Sequence, residues 1–138
     1  MDEGRKTTGR TPLLGQMLEA WRVGGERPTW DALRVRVDGL AEALCLIRWP
    51  VADGEAAIAE AGAQAILAYG APLAGRPVQA LTPGRADAAT EAERARAQGE
   101  PFTVEDELTG VDGRRVARLY LPLAGTPPAI ACAIVRID

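Results

Sequence analysis

Several groups of side chains in this 138-residue sequence could do chemistry, and their spacing decides what each can do. Glu105, Asp106 and Glu107 are consecutive carboxylates, a set suited to general acid and base work or to a hard metal ion. In an extended segment alternate residues share a face, so Glu105 and Glu107 project together and Asp106 away from them. Three ligands therefore do not converge, and the run reads as a charged edge-strand face. Arg114, Arg115 and Arg118 form a basic cluster that suits an anion or an acidic partner, with cross-strand pairing to Glu105 or Glu107 as the competing reading. Cys45 and Cys132 lie inside apolar runs without CxxC spacing and read as buried free thiols. Residues Gly4 to Thr11 spell GRKTTGRT, a near miss to a phosphate-binding loop. Arg10 stands where the lysine belongs and no strand precedes it, so it reads as a solvated tail. The chain contains no histidine, which removes His-based triads, His-ligated haem and His-containing zinc sites together.

Composition bounds what surrounds these groups. Apolar residues make up 47% and charged residues 25%, the usage of an ordinary globular chain with one core. A net charge of -3 gives no electrostatic reason to expect nucleic acid or an anionic membrane as partner. No window approaches about eighteen uninterrupted apolar residues, and the first residues lack the apolar core of a secretory signal. The cytoplasm is the expected compartment.

The elements that must position the candidates follow from periodicity and turn chemistry. Residues 1 to 10 read as a mobile tail. Thr11 and Pro12 open a helix whose stripe is Leu13, Leu14, Met17, Leu18 and Trp21, and Gly24 with Gly25 closes it. Glu26 to Gly39 reads as an irregular connector without a long element. Ala43 to Trp49 is too short for a helix and reads as a strand, turned at Asp53-Gly54 into a second strand over Glu55 to Ala61. Propensity alone would also allow one helix from Glu55 to Tyr69, with Gly62 as the place to divide strand from helix. Short turns are expected between Gly70 and Gly84, then a helix over 85 to 98 with an alanine face, ended by Gly99. PFTVEDEL, RRVARLYLPL and PAIACAIVRI read as three strands, separated by Asp112-Gly113 and by the run from Gly125 to Pro128. The order predicts an α+β domain with an antiparallel sheet.

This order, together with AGAQAILAYGAPLAGRPVQAL at 61 to 81, AQGEP at 97 to 101 and RLYLPLAG at 118 to 125, resembles a PAS domain. The Trp-containing segment LEAWRVGGERP at 18 to 28 is similar to a bacterial PAS-like group with an N-terminal helix before the sheet. The resemblance spans residues 12 to 138, with the helix and connector at 11 to 42 and the PAS-like domain at 43 to 138. It implies a five-stranded sheet of order 2-1-5-4-3, with helices across one face enclosing a small cavity. Trp49, Tyr69, Phe102 and Leu121 are the residues expected to line it. The family's photochemical flavin phrase NCRFL and its haem-binding histidine are both missing, so no cofactor is assigned.

Taking charge as the mark of the outside, Arg48 groups Leu44 and Leu46 outward, opposite Cys45, Ile47 and Trp49. Arg118 groups Val116 and Tyr120 outward, opposite Leu119, Leu121 and Leu123. Arg136 groups Ile130, Cys132 and Ile134 outward, opposite Ala129, Ala131, Ala133 and Val135. Cys45 and Cys132 then face apart, which disfavours a disulfide. The outer face is apolar enough to need a cover, and Leu14, Met17, Leu18 and Trp21, with Tyr120 and Ile134 beneath them, are the expected interface, within one chain or between two. The expected function is a non-catalytic PAS-like sensory or interaction module. It would act in trans through a homodimer and a signalling partner, with a small metabolite as the ligand class left open. Two other readings stand beside it: a small α+β enzyme using carboxylate, Tyr or Arg groups in a helix-sheet cavity, and a purely structural dimerisation subunit.

Overall fold

A computed structural model describes residues 12–50, 55–108, 113–125 and 127–137. The tail with its GRKTTGRT run, the Thr11 cap, the Asp53-Gly54 turn and Asp112 lie outside the described residues. Helix α1 spans Pro12–Arg22 and buries Leu14 and Met17, two of the five stripe residues. Gly24 and Gly25 follow at φ 87° and 76°, a conformation that ends the helix where the glycines predict.

The connector reading is corrected by helix α2, Trp30–Val37. Thr29 caps it by accepting a 3.2 Å hydrogen bond from the Ala32 amide on its side-chain oxygen, and Leu33 and Val37, one turn apart, bury one face. Pro28 and Gly39 punctuate a short helix here rather than a loop. A 3-10 segment, Asp38–Ala43, then leads into the sheet.

Strands β1 (Leu44–Arg48) and β2 (Ala57–Ala61) pair antiparallel. The alanine-rich run divides at Gly62, after which helix α3 spans Ala63–Tyr69. The division has a local cause. Gly62 donates to the Leu44 carbonyl at 2.9 Å, and a Cβ at this position would collide with the backbone of Glu42. Glu42 in turn accepts from the Ala63 amide at 2.8 Å, so the turn before β1 caps the helix after β2. Helix α4, Asp87–Gln98, buries Ala88, Ala92 and Ala95 and stops at Gly99 in the left-handed region. Buried Thr82 fixes its start, accepting from the Ala88 amide at 3.0 Å.

Strands β3 (Phe102–Glu107), β4 (Arg115–Pro122) and β5 (Ala129–Arg136) complete a sheet of order β2-β1-β5-β4-β3. The meander and the strand order agree with expectation. Two cores result, one on each side. On the inner side α3 and α4 cover Cys45, Ile47, Val116, Tyr120, Ile130, Cys132 and Ile134. On the outer side α1 and α2 cover Leu44, Leu46, Ala117, Leu119, Leu121, Ala131 and Ala133.

The inferred facing of β1 holds, whereas that of β4 and β5 is inverted. Arg118 reads from the sequence as the mark of a solvent face, yet it is fully buried on the inner side. Its neighbours Tyr120 and Ile134 therefore belong to the inner core, not to a surface beneath α1, and Leu121 belongs to the outer core. Cys45 and Cys132 lie directly opposite one another in register on the same face, both as free thiols. The expectation that they face apart is overturned.

Candidate functional site

The inner face is where the chemistry-bearing residues meet. β4 brings Arg118 and Tyr120, β3 brings Asp106, α4 brings Glu91, and the turn before α4 brings Arg85. Arg118 Nη2 donates to both oxygens of Glu91 at 3.1 Å and to Asp106 Oδ2 at 3.3 Å. Its Nε donates to Glu91 Oε1 and to the Tyr120 hydroxyl, each at 3.2 Å. The Tyr120 hydroxyl donates to Glu91 Oε1, and Arg85 Nη2 donates to the same Asp106 oxygen that Arg118 contacts. Arg85 also pairs with Asp87 at 3.2 Å near the surface. Tyr69 of α3 donates to the Leu81 carbonyl at 2.7 Å.

This placement separates the three consecutive carboxylates as the pleat predicts. Asp106 lies opposite Val116 on the inner side, while Glu105 and Glu107 face outward opposite Ala117 and Arg115. The reading that Arg118 pairs with Glu105 or Glu107 is corrected: its partners are Glu91 and Asp106. Arg114 instead donates to the Ala68 carbonyl at the end of α3. Glu91 is not among the candidates that the sequence singles out. The signal that could have found it is its position one turn from Ala88 and Ala95, on the buried face of α4.

Burial sets the protonation states. It pushes the Cys45 thiol up to about 12 and raises Cys132 and Tyr120 well above their ordinary values. Burial would also raise Asp106, but the hydrogen bonds from Arg85 and Arg118 outweigh it and hold that carboxyl below its ordinary value. Around neutral pH the thiols and phenols are therefore neutral, and Asp106 is ionised and paired.

Among the described residues, Arg118 Nη1 and Arg85 Nε make no hydrogen bond of good geometry, although the Tyr69 hydroxyl lies close enough to Arg118 to interact with it. Of the four residues expected to line a cavity, Trp49 and Phe102 pack against the inner core and Tyr69 is part of it. Leu121 is on the other side of the sheet. Phe102 stacks obliquely on Tyr120 with ring centroids 6.2 Å apart, and α4 lays Arg94 over Phe102 and Arg96 over Trp49, at 4.2 and 5.0 Å. Of the expected interface residues, Leu14 and Met17 are buried in the chain's own outer core. Leu18 and Trp21 pack against its margin, where Trp21 Nε1 donates to the Pro122 carbonyl at 2.6 Å. The stripe thus covers its own sheet. Among the described residues no group of three or more His, Cys, Asp or Glu residues could hold a metal ion. No described helix is long and apolar enough to cross a membrane.

No protein-family model and no curated protein matches the chain in sequence. Solved structures do match in shape. A domain of an HTR-like protein from Haloarcula marismortui aligns with a TM-score of 0.52 and 16% identity, over 70% of this chain and 99% of that one. A LOV protein from Rhodobacter sphaeroides aligns with a TM-score of 0.54 and 14% identity, over 100% of this chain and 69% of that one. Both have the PAS fold. This chain is PAS-like in fold. Within that PAS-like architecture the ionic cluster occupies the side of the sheet that α3 and α4 cover, and α1 with α2 closes the other.

Proposed function

We propose that the chain is a non-catalytic sensory or interaction module that responds to a small molecule on the inner face and signals in trans by self-association and contact with a partner protein. One observation carries the reading: a layer that apolar residues could have filled instead buries a charged, hydrogen-bonded cluster. Such clusters favour one arrangement of the elements that share them, which makes the position of α4 sensitive to what Arg118 binds. The protonation states favour binding over catalysis. The thiols and phenols are held neutral, and Glu91 and Asp106 are engaged by guanidinium groups, so within this cluster no described group is poised as nucleophile or base. Two buried free thiols suit the reducing cytoplasm.

For self-association the supporting feature is a groove of about 480 Å³ between α3 and the end of β5, lined in part by Leu13, Leu40, Leu67 and Val135. Leu67 is 65% exposed there. Native mass spectrometry of protein purified from its own host, followed by denaturation, tests both halves at once. A dimer that releases a reproducible small-molecule mass is the expected result. A monomer that releases nothing overturns the reading and returns the enzyme alternative to first place.

A further inference from the structure

We infer that the pocket between α2 and the outer face of the β1–β2 edge binds a small zwitterion, an unblocked α-amino acid of the size of glycine or alanine. Trp30 Nε1 and Arg34 receive its carboxylate, and Glu60 receives its ammonium group. The starting observation is Trp30 Nε1, which is buried and makes no hydrogen bond. An indole N–H only donates, and when buried it normally finds an acceptor, so this one points to an acceptor from outside the polypeptide. Trp30 lines a pocket of about 120 Å³, several times the room that one water needs. β2 sets Glu60 opposite Leu46, on the outer side of the sheet, where it lines the same pocket as Trp30 and Arg34 of α2. The site lies across the sheet from the Arg118 cluster, so it goes beyond the sensory reading above and does not depend on it.

Charge decides the class of the ligand. Arg34 holds its guanidinium 5.7 Å from the centre of the Trp30 ring and forms no ion pair with Glu42 or Glu60, the two carboxylates of the pocket. Glu42 is partly spent, since its Oε1 accepts from the Ala63 amide at 2.8 Å, which leaves Glu60 as the anion for a ligand. A simple anion would satisfy Trp30 and Arg34 but would sit beside two carboxylates. A simple cation would meet Arg34 as well as Glu60 and would leave the indole donor without an acceptor. A molecule that carries both charges answers each group with its opposite. Size decides which zwitterion. Leu44, 1% exposed, gives the pocket an apolar floor, and Gly62 packs so closely that a Cβ there would collide with the Glu42 backbone. The pocket therefore has room for a hydrogen or a methyl group on the α-carbon and none for a ring.

The test uses the full chain labelled with 15N and 13C, titrated at neutral pH and constant ionic strength with glycine, alanine, acetate, methylammonium and phenylalanine. The indole N–H signals of Trp21, Trp30 and Trp49 report separately once assigned through their bonded neighbours. Glycine and alanine should give a saturable shift at Trp30 and at the Arg34 guanidinium, with Trp21 and Trp49 unmoved. Acetate and methylammonium, each with half of the charge pair, should bind more weakly by tenfold or more, and phenylalanine should leave Trp30 unmoved. Arg34→Gln and Glu60→Gln change exposed side chains outside both cores, so each should keep the fold and weaken glycine binding by tenfold or more. Acetate binding as tightly as glycine overturns the zwitterion class. A Trp30 signal that no probe moves, with only water in contact with Nε1, overturns the site, as does unchanged glycine binding in both variants.

Discussion

Arg118 is a fully buried charge on the inner face of the sheet, held there by ion pairs to Glu91 and Asp106. Alternation correctly grouped it with Val116 and Tyr120, but the usual cost of burying a charge assigned that group to solvent. The partners that offset the cost, Glu91 and Asp106, are 27 and 12 residues away in sequence and become visible only when α4 and β3 are in place. Removing one partner should therefore cost more than removing the arginine. Glu91→Ala leaves the guanidinium buried with less compensation and should lower stability by about 3 kcal/mol. Arg118→Met leaves Glu91 and Asp106 with 13% and 18% of their side chains exposed, able to turn to water, and should cost less. Urea midpoints compare the two, and equal losses would show that the cluster is screened by solvent. The same groups set the pH response. Asp106 has a lowered folded pKa, so its contribution is present above the ordinary value of 3.8 and is lost as pH falls through the folded one. Cys45 is raised from 9.0 to about 12, so its contribution is full below 9.0 and is lost as pH rises across that interval. The urea midpoint should decline at both ends, with Asp106→Asn flattening the acid limb and Cys45→Ala weakening the alkaline one.

At the level of elements, glycine chemistry was legible and short helices were not. Gly62 divides β2 from α3 where the sequence allowed it, and the reason, contact with the Glu42 backbone, is a tertiary one. Gly62→Ala should destabilise by about 2 kcal/mol through overpacking at that contact, read from thermal or urea unfolding. A fully stable variant would show that the turn at Glu42 yields. Helix α2 leaves little trace in the sequence because Pro28 and Gly39 bracket only eight helical residues, with an apolar face of Leu33 and Val37 too short to establish a period. Its cap is the part that could have been seen. Thr29→Ala should cost about 1 kcal/mol, and a change within error would mean that packing on the outer core, and not the cap, holds the helix.

For the whole molecule, the α+β class, the strand order and the need for a cover on the outer face could all be inferred from the sequence, while the inner ionic cluster could not. The order followed from the resemblance to PAS domains, and the cover from the apolar residues on both faces of β1, β4 and β5. Deleting residues 1 to 25 removes α1 and should uncover Leu119 and Leu121, giving aggregation or strong binding of an apolar dye. A truncated protein that stays soluble and equally stable would show that α2 alone suffices. The sheet order has a further consequence for how the molecule is made. β5 is the central strand, flanked by β1 and β4, and it is synthesised after both of them. Until it leaves the ribosome, the β1–β2 hairpin and the β3–β4 hairpin have no strand to join them, and each presents an open edge that β5 will later fill. Native pairing must therefore wait for the final strand, which makes nascent chains stalled before residue 129 the species most exposed to proteases and to chaperones.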